Sequence, residues 1–217
     1  MSKKNARWRK LDNAAKLYSA ASNKKDTRVF RFYCELKEEV NPKALQEALN
    51  QTIETFPTFL MVLRKGFFWH YLEPCNLRPI VKEEYKEPCS RLYIRDKKTL
   101  LFEVTYYKKR INFEVFHVLT DGTGATEFLK ELVKNYLYLV HKEEGLEQIT
   151  LLPEDMTVQD QEDDSFLKYY SKNQKRPKKR KLNAFQIRRK KKDGNHLHVH
   201  ESVVSVQAVL KRSRELG

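Results

Sequence analysis

The residues best equipped for chemistry in this chain are His117-Val118-Leu119-Thr120-Asp121-Gly122. A histidine closes a strand-like run, an aspartate and a glycine follow at fixed offsets, and a long amphipathic helix begins behind them. An imidazole titrates near neutral pH and can take a proton from a bound substrate. Alternation over 110–117 puts Ile111, Phe113, Val115 and His117 on one face, with Asn112, Glu114 and Phe116 on the other. His117 therefore ends an apolar row, where partial desolvation disfavours its charged form and keeps a neutral base available. Asp121 lies four residues on, a spacing that shares a face only on a continuous helix; the strand end, Gly122 and Gly124 separate the two side chains. Its carboxylate suits backbone amides or a basic partner, and Gly122 is expected to give the loop a backbone conformation that other residues resist. The same six residues also make an ordinary turn after a strand, and the pattern alone leaves both readings open.

Other chemistry-bearing groups are weaker. His196, His198 and His200 alternate along one strand-like face, but an extended chain spreads them apart and no carboxylate or cysteine motif converges on them, so a polar sheet face is expected and no metal site. Cys34, Cys75 and Cys89 are odd in number and widely spaced, which fits neither a disulfide framework nor a zinc knuckle. None has a neighbouring histidine motif that would make it a nucleophile. Phe67, Phe68 and Trp69 are expected to pack in the core of a hairpin.

The elements that must position the histidine are legible in the pattern. Asp12 caps a short helix through Leu17 to Ala21. Residues 27–36 alternate as a strand with Phe30, Phe32, Cys34 and Leu36 on its apolar face. Asn41 and Pro42 open a helix whose stripe is Leu45, Ala48, Leu49, Thr52, Ile53 and Phe56, and Pro57 ends it. Hairpins are expected at 58–63 with 67–72, around Lys65-Gly66, and at 99–107 with 110–117, turning at Lys108-Lys109. A short strand is expected at 77–82, a helix at 123–141, a strand at 196–204 and a helix at 205–216. The sum is an α+β fold, a mixed α/β sandwich with a largely antiparallel sheet and flanking helices.

Composition bounds the remaining classes. The 217 residues suffice for one domain with a real core. No apolar run approaches the roughly 20 residues of a membrane span, and no apolar stretch follows the first charged residues, so neither an anchor nor a secretory signal is expected and a reducing cytoplasm is the natural compartment. The net charge is +14, but residues 172–192 carry 12 basic residues and no acid, and the rest of the chain sums to +2. A basic surface spread over the fold is not indicated. The run Lys175 to Lys181 suits a solvated loop, with phosphate or nucleic-acid binding as the lesser reading, within a loop expected at about 145–195.

Phe116-His117-Val118-Leu119-Thr120-Asp121-Gly122, followed by Thr123-Gly124-Ala125-Thr126-Glu127-Phe128-Leu129, resembles the His-His-x-x-x-Asp-Gly region of the chloramphenicol-acetyltransferase-like superfamily. That group includes alcohol acetyltransferases and the condensation domains of peptide synthetases. The segment from Trp8 to Lys16 resembles the opening of the alcohol-acetyltransferase branch. The helix 42–56 with Phe56-Pro57, the hairpin through Phe68, and the stretch from Val199 to Leu216, taken as a crossover strand and helix, look like further elements of the first lobe.

The resemblance implies an acyl-CoA-dependent O-acyltransferase, with acetyl-CoA or another acyl-CoA as co-substrate and a small alcohol or amine as acceptor. His117 corresponds to the catalytic base, and Phe116 stands where the first histidine of the pair would be. Asp121, with Gly122, would structure the loop by pairing with an arginine. The family is two-lobed; residues 1–217 resemble the N-terminal lobe, and a C-terminal lobe is expected to be absent. An isolated lobe would expose a tunnel-facing surface to a second lobe or to another copy of itself. The alternative is a lobe without turnover that binds a carrier protein or another partner. A nucleic-acid binder acting through 172–192 ranks behind both.

Overall fold

The computed structural model describes residues 8–23, 26–67, 69–95, 97–142 and 199–216. Residues 8–142 lie in one compact unit and residues 199–216 in another. The helices and mainly antiparallel strands of the first make the α+β class expected.

Strand β1 (Arg9–Lys10) leads into helix α1 (Asn13–Ala21), whose first turn is closed by Asp12 accepting from the Ala15 N–H at 2.6 Å. Strand β2 (Val29–Glu35) follows, then helix α2 (Pro42–Thr55). Asn41 caps α2 by accepting from the Lys43 and Ala44 N–H groups, with Pro42 at a position that needs no donor. Its apolar stripe, Leu45 to Ile53, is buried as the period required. Pro57 starts a single 3-10 turn over 57–59, so the next hairpin begins later than the sequence pattern implied: β3 (Met61–Lys65) pairs with β4 (His70–Pro74).

The Lys65↔His70 register leaves 66–69 as the connection. That overturns the expected packing of Phe67 and Trp69, which are 89% and 61% exposed; a connecting loop has no facing layer to bury them. β1 adds to the far side of β4, giving a three-stranded sheet in the order β1-β4-β3. Two residues are too few to show alternation, which is why β1 escaped the sequence pattern.

The larger sheet has the order β2-β7-β6-β5. β6 (Phe102–Tyr107) and β7 (Arg110–Phe116) form the second expected hairpin, turning at Lys108, whose φ of 49° is the left-handed conformation a tight turn needs. β5 is only Lys82–Glu83, parallel to β6. It is shorter and later than the strand expected at 77–82, because Gln46 of α2 brackets that segment, donating to the Pro79 carbonyl and accepting from the Val81 N–H.

Helix α3 (Gly122–Val140) packs beside α2 over one face of the sheet. Phe128 stacks on Phe59 at 4.4 Å and on Phe113 at 4.7 Å, and meets Phe56 and Phe102 at 5.6 and 5.5 Å. Burying such a ring is worth about 1.5–3 kcal/mol, so this cluster locks both helices to the sheet. Polar ties add direction: Tyr136 of α3 accepts from the Asn41 N–H at 2.8 Å, and Asn135 donates to Thr52 at 3.1 Å.

In the second unit, helix α4 (Val206–Leu216) matches the helix expected at 205–216, but residues 199–204 form no strand and are exposed. Alternation predicts a strand only where a neighbouring strand can pair with it, and the described residues give this segment none. His196, His198 and the loop at about 145–195 lie outside the described residues.

Candidate active site

β7 is one of the two inner strands of the four-stranded sheet, and both of its faces are covered. On the helix side lie Ile111, Phe113 and Val115; on the other, Asn112, Glu114 and Phe116 are also buried. The segment around 87–101 covers this second face: Cys89 N–H donates to Glu114 at 2.6 Å, Tyr93 stacks flat on Phe116, and the Phe116 N–H reaches the Leu101 carbonyl. Phe116, at the position of the resemblance's first histidine, is thus buried against Tyr93.

His117 stands one residue beyond the end of β7, in a turn over 117–119, where the sequence pattern had run the strand through it. Its N–H still holds β2's side of the sheet, donating to the Arg28 carbonyl at 3.0 Å. Arg28 has φ 55°, uncommon for a residue with a bulky side chain; that conformation turns its carbonyl toward His117.

The imidazole is half-buried and packs against two aromatic rings. Tyr18 of α1 stacks on it at 4.4 Å with an interplanar angle of 19°, and Phe30 of β2 lies at 4.3 Å and 42°. Rings packed on the imidazole faces fix its plane. Burial pushes the His117 pKa below the ordinary histidine value; Asp121 and the Thr120 backbone oppose the shift, and the Arg28 charge adds to it. Nδ1 is buried without a well-formed hydrogen bond, and the Thr120 backbone beside the ring favours its charged form.

Asp121 is the N-cap of α3, accepting from the Gly124 N–H at 2.9 Å. Among the described residues no arginine pairs with it. Gly122 sits at the first position of α3, and a Cβ there would meet only the Phe32 ring at 3.9 Å. The expected backbone freedom is therefore not what this position uses. The demand falls on Gly124, where a Cβ would collide with Oγ1 of Thr120. Gly124→Ala is expected to cost about 1–3 kcal/mol. Adding Thr120→Ala should return most of it, since the remaining Cβ of residue 120 lies 3.6 Å away, an ordinary contact. Melting temperatures of the single and double variants check this; a single variant as stable as the parent would refute it.

The sequence did not reveal Tyr18, Phe30 or Arg28 as neighbours of His117. Alternation placed Phe30 on an apolar face, but only the pairing of β2 with β7 brings that face to the histidine. The three thiols are free and half-buried, and burial pushes each pKa up, with Glu114 adding to the rise at Cys89; none has the character of an activated nucleophile. No group of three or more metal-ligating side chains occurs among the described residues, and none of their helices is long and apolar enough to cross a membrane.

The backbone arrangement matches solved structures. The starter condensation domain of rhizomide synthetase RzmA superimposes with a TM-score of 0.53 at 13% identity, covering 66% of this chain and 40% of that one. The chain has the fold of a condensation-domain lobe. The same starter domain carrying a substitution, in complex with C8-CoA, matches this lobe equally well (TM-score 0.53, 14% identity, 66% and 38% covered). The first condensation domain of the calcium-dependent antibiotic synthetase, with a substrate analogue, gives 0.52 at 13% identity, covering 67% and 42%. The lobe thus spans about two fifths of the length of these neighbours. No family model and no curated relative matches the sequence, so the likeness resides in the fold, the one implied by the chloramphenicol-acetyltransferase-like resemblance.

Proposed function

We propose that this lobe carries the general base of an acyl-CoA-dependent O-acyltransferase. The observation that supports it most is the His117 imidazole: half-buried, favoured neutral by burial, and set just beyond an inner strand of the sheet in the turn that leads to a capped helix. A neighbour of the same fold binds C8-CoA, which favours an acyl thioester as donor. His117 takes the proton of an acceptor hydroxyl as that oxygen attacks the thioester carbonyl. The tetrahedral oxyanion collapses, the carbon–sulfur bond breaks, and the imidazolium returns its proton to the departing thiolate. Asp121 holds the loop by capping α3. His117 alone is given a chemical role here; the acceptor is a small alcohol or amine.

The direct test is alcohol-dependent release of free thiol from acetyl-CoA and C8-CoA by the full chain. Its absence with a panel of short and medium alcohols would overturn the reading. The pH profile carries a further prediction. Only the neutral imidazole can accept the proton, and burial extends that form to lower pH. The kcat/KM profile should therefore be flat through neutrality and fall on the acid side with a midpoint below about 6.5, the ordinary histidine value. A midpoint well above that value would assign the base to another group.

Phe116 in place of a second histidine, and an Asp121 without an arginine among the described residues, favour a second reading: a lobe that binds a carrier protein or another partner without turnover. That reading predicts partner binding with no acyl-CoA binding by calorimetry.

A further inference from the structure

We infer that Tyr18 and Phe30 are positioning residues for His117, their π faces stabilising the imidazolium formed during transfer in the place where many catalytic histidines have a carboxylate. The inference rests on the proposed role of His117 as base, and adds how a base without a carboxylate partner is held and charged.

Three observations carry it. First, both rings are in contact range of the imidazole, at 4.4 and 4.3 Å between centroids. Second, no carboxylate is hydrogen-bonded to the ring: Nδ1 is buried without a well-formed hydrogen bond, and Asp121, whose charge favours the imidazolium through space, accepts the Gly124 N–H at the helix cap. Third, both rings are anchored independently of any ligand. Tyr18 belongs to α1, which is tied down by the Asp12 cap and the buried Ala15, and the Tyr18 carbonyl accepts from the Ser22 N–H at 3.0 Å. Phe30 pairs with Val115, two residues before His117, and meets Phe32 edge-on at 5.5 Å.

The chemistry follows from charge. A neutral imidazole gains dispersion from two stacked rings. When His117 takes the hydroxyl proton its ring becomes a cation, and aromatic faces attract a cation more strongly than a neutral ring. The contact thus strengthens in the step where charge appears, which is the condition for assisting that step. The charged groups acting on the ring are Asp121, from the loop before α3, and Arg28, from the start of β2; they oppose each other in sign. From α1 the facing group is the Tyr18 ring. Asp121 and the Thr120 backbone favour the charged ring more than Arg28 opposes it, and the two aromatic faces add to that stabilising side.

The test reads the imidazole itself. His117 is titrated by NMR in the full chain, with phenylalanine at position 30 replaced by its mono-, tri- and pentafluoro analogues. Fluorination drains the π face while nearly preserving ring shape and burial. The His117 pKa should fall stepwise, by about 0.5–1 unit across the series. A flat series would overturn the inference. Tyr18→Phe keeps the ring and should leave the pKa in place; a shift as large as that of pentafluorination would overturn it too. The titration needs no turnover. A falling series in a protein without thiol release would therefore leave the aromatic stabilisation standing while removing the acyltransferase reading.

Discussion

His117→Ala is expected to lower the rate of thioester-to-alcohol transfer by about 10²- to 10⁴-fold, the usual contribution of a positioned general base. The fold should survive. The imidazole makes no hydrogen bond to another side chain through Nδ1, so its removal strands no buried side-chain carboxylate or hydroxyl there. What is lost is ring packing against Tyr18 and Phe30, worth about 0.5–1.5 kcal/mol per aromatic pair, or a melting temperature lower by a few degrees. Steady-state rates over a pH series, with circular dichroism melts of the same samples, separate the two effects. The decisive pattern is a collapsed kcat with a nearly unchanged melt. An unchanged rate would mean that His117 is only a turn residue after a strand, the reading the hexapeptide by itself left open.

Arg31→Met is expected to destabilise the protein by about 3–5 kcal/mol. Arg31 on β2 faces Glu114 on β7, with Nε and Nη2 both 2.8 Å from one carboxylate oxygen, and it reaches Glu84 at 2.6 Å. Burial works against the guanidinium charge, but the two carboxylates more than offset it and its pKa rises. The Glu114 side chain is only 3% exposed, and its cross-strand neighbour on β6 is Glu103, a like charge held by Lys86 and, at longer range, by Lys82. Without Arg31, Glu114 is a buried carboxylate left with the Cys89 N–H and facing another acid. Glu114→Ala should cost less, because Arg31 retains Glu84. Arg31→Met with Glu114→Gln should recover much of the loss, since both charges are then gone. Urea unfolding of the three variants gives the cycle; a double variant as unstable as Arg31→Met would show that packing, and not the stranded charge, sets the cost.

These two residues show where sequence reasoning reached and where it stopped. His117 was visible because type and position sufficed: an imidazole at the end of an alternating apolar row, before an Asp-Gly and a helix. The Asn41-Pro42 start, the stripe of α2, the two hairpins and the extent of α3 were legible for the same reason, each being set by caps, periods and turns within about 20 residues. Glu114 was placed with Asn112 and Phe116 on the face of β7 opposite the apolar row, and alternation had no means of showing that this face is buried too. Trp69 and Phe67 failed the other way. Large aromatics suggest a core, but the hairpin register made them its connection. Residues 199–204 kept strand-like alternation, but no strand among the described residues pairs with them.

By itself, then, the sequence determined the α+β class and the order of the main helices and strands, and it singled out the histidine proposed as the base, because these depend on local spacing and on backbone preferences that act over a few residues. Tertiary structure alone decided what surrounds that base. Tyr18, Phe30 and Arg28 meet His117 because β2 pairs antiparallel with β7 and α1 brings Tyr18 onto the imidazole. Pairing across some 85 to 100 positions of chain is fixed by the collective burial of the phenylalanine cluster and by strand register, and neither is written into any short stretch of residues.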